Sequence, residues 1–128
     1  MKFKRYVFSL LCFAAFCAHS QTMSGNDLLQ KLTDQDTEGL LYLIGVVDGG
    51  YASRAVFESD FIKTDEKTNR EALISLGKYW GCRPEKASNG QVSDATIAYL
   101  KSNPKVRHLA SSALIAAAMR DAWPCKFP

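Results

Sequence analysis

The sequence predicts an all-α protein, a small bundle of four to five helices cross-linked by one disulfide. Three observations predict this class. Apolar residues recur at spacings of three and four after residue 21, whereas alternating strand patterns are nearly absent. Helix start signals precede most of these apolar segments. Two cysteines, Cys82 and Cys125, remain after the first 20 residues.

The first 20 residues have the organisation of a secretory signal peptide. Residues 1–5 read MKFKR, residues 6–17 are apolar apart from one serine, and the small residues Ala18 and Ser20 precede the expected cleavage site. The apolar run of about 12 residues is too short for a bilayer core of roughly 30 Å. We therefore expect a signal peptide at 1–20 and one domain at 21–128. An uncleaved anchor and a lipoprotein cut at Cys17 are less favoured alternatives.

Cleavage changes the charge balance of the chain. The full chain has 16 basic and 13 acidic residues, and the three basic residues of the signal are Lys2, Lys4 and Arg5. The mature chain would therefore be formally neutral. No basic patch argues for nucleic acid as a partner, and nothing after the signal argues for a membrane.

The cysteines predict a cross-link between the middle and the end of the chain. Cys12 and Cys17 leave with the signal, so Cys82 and Cys125 remain. In an oxidising compartment two such residues favour one disulfide. Closing a loop of about 44 residues is worth about 4 kcal/mol in the chain-entropy model.

The first three helices are predicted from caps and apolar periodicity. Residues 24–27 read Ser-Gly-Asn-Asp, a cap for a helix around 25–33. Asp36 can cap a long helix near 37–59, which is apolar on most sides and is therefore expected at the centre of the bundle. A third helix is expected near 65–78.

The last two helices have clearer start signals. We expect Gly77 and Gly81 to end the third helix. Ser88 and Gln91 then fit a capping box, which predicts a fourth helix at 89–102. Asn103 and Pro104 predict the start of a fifth helix at 104–122. The expected buried stripe of this fifth helix comprises Val106, Leu109, Ala110, Ala113 and Ala117, with Trp123 covering the core beside the disulfide.

Residues 45–50 read Gly-Val-Val-Asp-Gly-Gly, which superficially resembles a phosphate-binding loop. The segment lacks the Lys-Ser/Thr of a P-loop and follows no predicted strand. We expect instead that Gly45 and Gly49 allow close helix packing. Asp48 either lies on the exposed side of this helix or bonds a neighbouring helix.

No residue pattern predicts catalysis, a metal or a cofactor. His108 is the one histidine left after the signal, and a solvated helix face is its expected place. A Cys–His nucleophile would need a free thiol. One histidine and two cysteines do not make a zinc pattern. A Ser-His-Asp triad stays open, because its members need not be close in sequence.

Two charge-rich segments, 58–70 and 83–86, are predicted to be solvated loops. The second follows Cys82 directly, so the disulfide would hold its base. Loops held by a rigid frame carry recognition. We therefore expect partner contacts in this region, from Arg83, Glu85, Lys86, Ser88 and Asn89.

The segment from Gly81 to Cys125 carries a series of motifs at defined spacing. These are a Cys-x-Pro, a turn leading to Gln, a helix ending Tyr-Leu, a Pro-started segment with Arg-His, and a final Trp-Pro-Cys. Their positions are Cys82, Pro84, Gly90, Gln91, Tyr99, Leu100, Pro104, Arg107, His108, Trp123, Pro124 and Cys125. This series resembles that of the Rap/Tai family of type VI secretion amidase immunity proteins. Residues 86–88 depart from the family's frequent Gly-Val-Thr.

The resemblance implies a small helical periplasmic protein that binds and occludes a peptidoglycan amidase toxin. The resemblance also implies that this protein needs no catalytic group of its own. Some members of the family act as dimers, so a homodimer is one assembly to test. Two alternatives remain open. One is a housekeeping periplasmic binding or scaffold protein without a toxin partner, and the other is a small enzyme using His108 with an unpaired cysteine.

Overall fold

The computed structural model describes residues 22–61, 71, 74–75 and 77–126. Within these residues the protein is all-α, with a single Cys82–Cys125 disulfide, as predicted. The helices described over their whole length are α1 (Gly25–Thr33), α2 (Thr37–Phe61), α3 (Asn89–Ser102) and α4 (Ser111–Ala122), with a 3₁₀ turn at Pro104–Val106. A further helical segment, described only in part, ends at residue 80. The predicted signal peptide lies outside the described residues.

Helix α1 begins with a reciprocal cap. The Asp27 N–H donates to Ser24 Oγ at 3.2 Å, and the Asp27 carboxylate accepts from the Ser24 N–H at 3.1 Å and from its hydroxyl at 2.6 Å. The hydrogen bond from the Ser24 hydroxyl lowers the pKa of Asp27, and the backbone hydrogen bond adds to it. The predicted cap of the first helix is confirmed.

The corner between α1 and α2 is held by charges around Asp36. Its Oδ1 accepts the Glu38 N–H at 2.9 Å, which confirms the predicted cap of α2. Lys31 Nζ lies 3.0 Å from Asp36 Oδ2 and 2.7 Å from Glu38 Oε2. The Glu38 N–H, and then Lys31, lower the pKa of Asp36, whereas the Glu38 carboxylate does most to raise the pKa of Lys31. Gln35 turns the chain with a positive φ of 56°.

Helix α2 buries Leu43 and Val47 completely, but it also has an exposed apolar side on which Leu41 is 64% exposed. The predicted close packing at Gly45 and Gly49 is wrong. Both residues are exposed, and a Cβ at either would meet nothing within 4 Å. Gly50 is the packed glycine instead, because a Cβ there would lie 2.5 Å from the Trp80 ring.

The core lies where α1, α3 and α4 meet α2. Helices α3 and α4 pack against each other and against α1. Thr96 is fully buried in α3, and its hydroxyl donates to the Val92 carbonyl at 2.9 Å, so no buried donor is left unpaired there. The main buried side chains are Leu28, Leu32, Leu43, Val47, Val92, Leu100, Leu114, Ile115, Ala118 and Met119.

The predicted fifth helix is not continuous. After the 3₁₀ turn the chain leaves the helical path over residues 107–110. The Arg107 and Leu109 carbonyls accept from Asn26 and Gly25 at 2.9 and 3.0 Å. These donors lie at the start of α1, where no intrahelical partner exists. Residues 107–110 leave the predicted fifth helix because their carbonyls pair with these two donors.

The buried stripe of α4 also differs from the prediction. Leu109 is 45% exposed and Ala113 is exposed, whereas the buried positions of this helix are Ser111, Leu114, Ile115, Ala116, Ala118 and Met119. The break at 107–110 resets the helical register, so the face predicted for one continuous helix no longer applies. The Ser111 hydroxyl donates to the Tyr42 hydroxyl at 3.0 Å and joins α4 to α2.

The predicted third helix lies partly outside the described residues. Residues 71, 74–75 and 77–80 are helical, so the helix continues two residues beyond its predicted end at 78. Gly77 is buried inside it and does not end it. Gly81 ends it with a φ of +72°, a conformation that L side chains rarely adopt.

Candidate partner-binding loop

The loop at residues 81–88 joins this helical segment to α3, and its first residues are tied to the end of the chain. Cys82 and Cys125 form the predicted disulfide, with a Cα–Cα distance of 4.9 Å. The Cys82 N–H also donates to the Trp123 carbonyl at 2.7 Å. Trp123 is half-buried and packs against the core, as predicted. The loop therefore starts from a covalently fixed point.

Arg83 is held by α2. Its N–H donates to the Tyr51 hydroxyl at 3.1 Å, and its guanidinium carbon lies 5.3 Å from the centre of the Tyr51 ring. The Tyr51 hydroxyl in turn donates to the Trp80 carbonyl at 3.2 Å. Arg83 Nη2 also lies 3.9 Å from Asp48 Oδ1. The Asp48 side chain is 61% exposed, so it lies on the exposed side of α2, one of the two places expected for it.

The far end of the loop is fixed by the predicted capping box. The Gln91 N–H donates to Ser88 Oγ at 3.2 Å, and the Ser88 N–H donates to Gln91 Oε1 at 2.8 Å. Within the loop, the Ala87 N–H donates to the Pro84 carbonyl at 3.0 Å, which closes a turn. Both ends of a short segment are therefore rigid.

The structure places the five predicted contact residues on one continuous segment, but in different settings. Arg83 is half-buried and belongs to the base of the loop, and Ser88 caps α3. Glu85, Lys86 and Asn89 are exposed. Asn89 is the first residue of α3 and adjoins the loop. We use the name loop tip for Glu85, Lys86 and Asn89 together. Their side chains form no hydrogen bond or ion pair with other residues of the described ranges.

The residues of α2 that support this loop were not predicted from the sequence. Tyr51 lies in the long apolar helix expected near 37–59, and the helical pattern gives it no further role. Its hydroxyl was the available signal, because a tyrosine that is partly buried needs a hydrogen-bond partner. An open cavity of about 310 Å³ lies at the same place, lined by Tyr51, Arg54, Ala55, Cys82 and Arg83.

The residues considered for catalysis are not assembled into a nucleophilic site. Both cysteines are in the disulfide, so neither is a free thiol. His108 is exposed, but it lies in the turn between the 3₁₀ segment and α4 and not on a helix face. In the part of the chain that the structure describes, no group of three or more His, Cys, Asp or Glu side chains could hold a metal.

The described helices include none that is both long and apolar enough to span a bilayer. This finding applies to residues 22–61 and to the described residues from 71 to 126. The longest helix, α2, carries charged residues along its length, among them Glu38, Asp48 and Arg54.

Comparison with known proteins identifies the family. Neither the curated proteins nor the solved structures give a match to this chain. The family model described as Rap1a immunity proteins matches residues 14–125, a range that includes helices α1 to α4, the loop at 81–88 and both cysteines of the disulfide. The chain therefore belongs to the Rap1a immunity protein family.

Proposed function

We propose that this protein is a periplasmic immunity protein that binds and occludes a peptidoglycan amidase delivered by a type VI secretion system. The match to the immunity family over residues 14–125 carries the proposal. The signal-like residues 1–20 support export to the periplasm. An occluding inhibitor needs a rigid surface and no chemistry of its own.

The loop tip is the surface that we propose for the toxin contact. Its base is fixed by the disulfide, by Tyr51 and by the cap at Ser88. A surface fixed before binding loses little conformational entropy when it meets a partner. Glu85, Lys86 and Asn89 project from this fixed base, and a cleft of complementary shape and charge would accept them.

The experiment is protection of cells by periplasmic co-expression. Each candidate amidase from the same genome is exported with this protein, and survival and cell-wall integrity are measured. We expect protection against one toxin. The proposal would be contradicted if the protein protected cells against none of the exported, active amidases.

Charge-reversal variants test the place of the contact. Lys86→Glu, which reverses one exposed charge of the loop tip, should weaken binding to the toxin by about tenfold in a calorimetric titration, while the fold stays intact. Lys105→Glu is the matched control, since Lys105 is also exposed but lies on the 3₁₀ turn outside the loop. Equal loss of binding in both variants would place the contact elsewhere.

The homodimer stays a prediction, which light scattering of the purified protein tests.

A further inference from the structure

The two sulfurs of the disulfide lie in different surroundings. Cys82 is exposed and lines the open cavity of about 310 Å³ beside Tyr51. Cys125 is half-buried, and its Sγ lies 3.4 Å from the Gly77 carbonyl oxygen. A small molecule entering the cavity therefore meets the sulfur of Cys82 first.

Two guanidinium groups line the same cavity. Arg54 Nη1 lies 3.7 Å from Cys82 Sγ and donates to the Gly81 carbonyl at 3.4 Å. Arg83 lies over the face of the Tyr51 ring, and its nearest carboxylate, Asp48, is 3.9 Å away and 61% exposed. Guanidinium groups stay charged at any physiological pH. They favour an anion at the sulfur, both as the attacking thiolate and as the thiolate released later.

We propose that the Cys82–Cys125 disulfide is a thiol–disulfide exchange site that prefers small anionic thiols, those bearing a carboxylate or sulfonate beside the thiol. This proposal goes beyond the proposed function, since it concerns the protein alone and needs no toxin. It assigns a chemical role to Cys82, Arg54 and Arg83 that blocking an enzyme does not require.

The exchange proceeds in two balanced steps. A thiolate attacks Cys82 Sγ, a bond forms between the two sulfurs, and the Cys82–Cys125 bond breaks. Cys125 leaves as a thiolate, takes a proton from water and can then donate its S–H to the Gly77 carbonyl. A second thiolate attacks the outer sulfur of the mixed disulfide and releases the Cys82 thiolate beside Arg54. Two small thiols are oxidised to their disulfide, and the protein disulfide accepts the two electrons.

The test compares two thiols of opposite charge on the purified, oxidised protein. The sulfonate thiol 2-mercaptoethanesulfonate and the amino thiol cysteamine are added at low ionic strength, and samples are quenched with acid for intact-mass analysis. Each rate is divided by the thiolate concentration and corrected for thiol pKa. We expect the sulfonate thiol to react about 5-fold faster, with the ratio approaching one in 1 M salt. Equal rates at low salt would overturn the proposal.

Two further measurements separate the site from a general charge effect. Arg83→Gln should lower the preference for the anionic thiol, whereas Lys101→Gln on α3 should leave it unchanged. Peptide mapping of the first adduct in the unmodified protein needs no variant, so it does not depend on how a variant folds. The adduct is expected on Cys82, and an adduct found mainly on Cys125 would overturn the assignment.

Discussion

The backbone N–H of Arg83 donates a hydrogen bond of 3.1 Å to the hydroxyl of Tyr51, a residue 32 positions earlier in the chain. The same hydroxyl donates to the Trp80 carbonyl at 3.2 Å. One side-chain oxygen thus satisfies two backbone groups at the start of the loop. The Arg83 guanidinium adds a contact to the face of the ring, 5.3 Å from its centre.

Tyr51→Phe should destabilise the protein by about 1–2 kcal/mol, because it leaves a partly buried N–H and a carbonyl without their partner. Urea unfolding measures the free energy. Hydrogen exchange measures the local effect, and the Arg83 amide should exchange faster in the variant.

Tyr79→Phe is the control for this substitution. Tyr79 is 52% exposed, and its ring packs edge-on against Trp80 with 5.8 Å between centres. Its hydroxyl forms no hydrogen bond within the described residues, so the unfolding free energy should change by less than about 0.5 kcal/mol. If both variants behave alike, the Tyr51 hydroxyl does not support the loop.

Replacing both Cys82 and Cys125 by serine should lower the free energy of unfolding by up to about 4 kcal/mol, because the unfolded chain regains the freedom of a long closed loop. Urea unfolding of the oxidised protein and of the double variant measures the difference. The unmodified protein kept in reductant should match the double variant. Equal stability of the oxidised and reduced forms would show that the cross-link does not constrain the unfolded chain.

Two glycine substitutions should act in opposite directions. Gly81→Ala should destabilise the protein by more than about 1–2 kcal/mol, because φ is +72° and the new Cβ would lie 2.7 Å from the Met119 carbonyl oxygen. Gly45→Ala should stabilise it by about 0.5–1 kcal/mol, since Gly45 is exposed inside a helix with open space around it. Thermal and urea unfolding measure both effects.

Toxin protection by Gly45→Ala gives a second measurement on that variant. Protection should be unchanged, because the proposed contact is the loop tip and Gly45 lies on α2. A stable Gly45→Ala protein that no longer protects would place the contact on the exposed side of α2.

The starts of α1, α2 and α3 could be predicted because their signals are local. The caps at Ser24 and Ser88 each join residues three positions apart, and both have the predicted geometry. The disulfide could be predicted because the predicted mature chain holds just two cysteines. In each case the pattern within a short stretch, or a simple count, was sufficient.

The predictions that were wrong concern places where segments distant in the sequence meet. Residues 107–110 look helical by themselves, but they pair with residues 24–26, more than 80 positions earlier. Helix α2 is apolar on most sides, so its pattern could not show that Trp80 covers Gly50 and leaves Gly45 and Gly49 exposed. The support of Arg83 by Tyr51 is a long-range contact of the same kind.

The stability should fall in acid because two carboxylates at the α1 and α2 caps are more acidic when the protein is folded. The pKa of Asp27 is lowered mainly by the Ser24 hydroxyl, and that of Asp36 mainly by the Glu38 N–H. A lowered folded pKa stabilises the fold above the unfolded value of about 3.9, and this contribution is lost as pH falls through the folded pKa.

Urea unfolding between pH 2 and pH 6 measures this acid dependence, which should be weaker in Asp27→Asn because the side-chain amide of that variant has no proton to gain in this range. Asp94→Asn is the matched control. Asp94 is exposed on α3, and its side chain forms no hydrogen bond or ion pair with the rest of the described chain. An Asp27→Asn protein that loses stability in acid as steeply as the unmodified protein would show that the cap at Ser24 does not depend on the charge of Asp27.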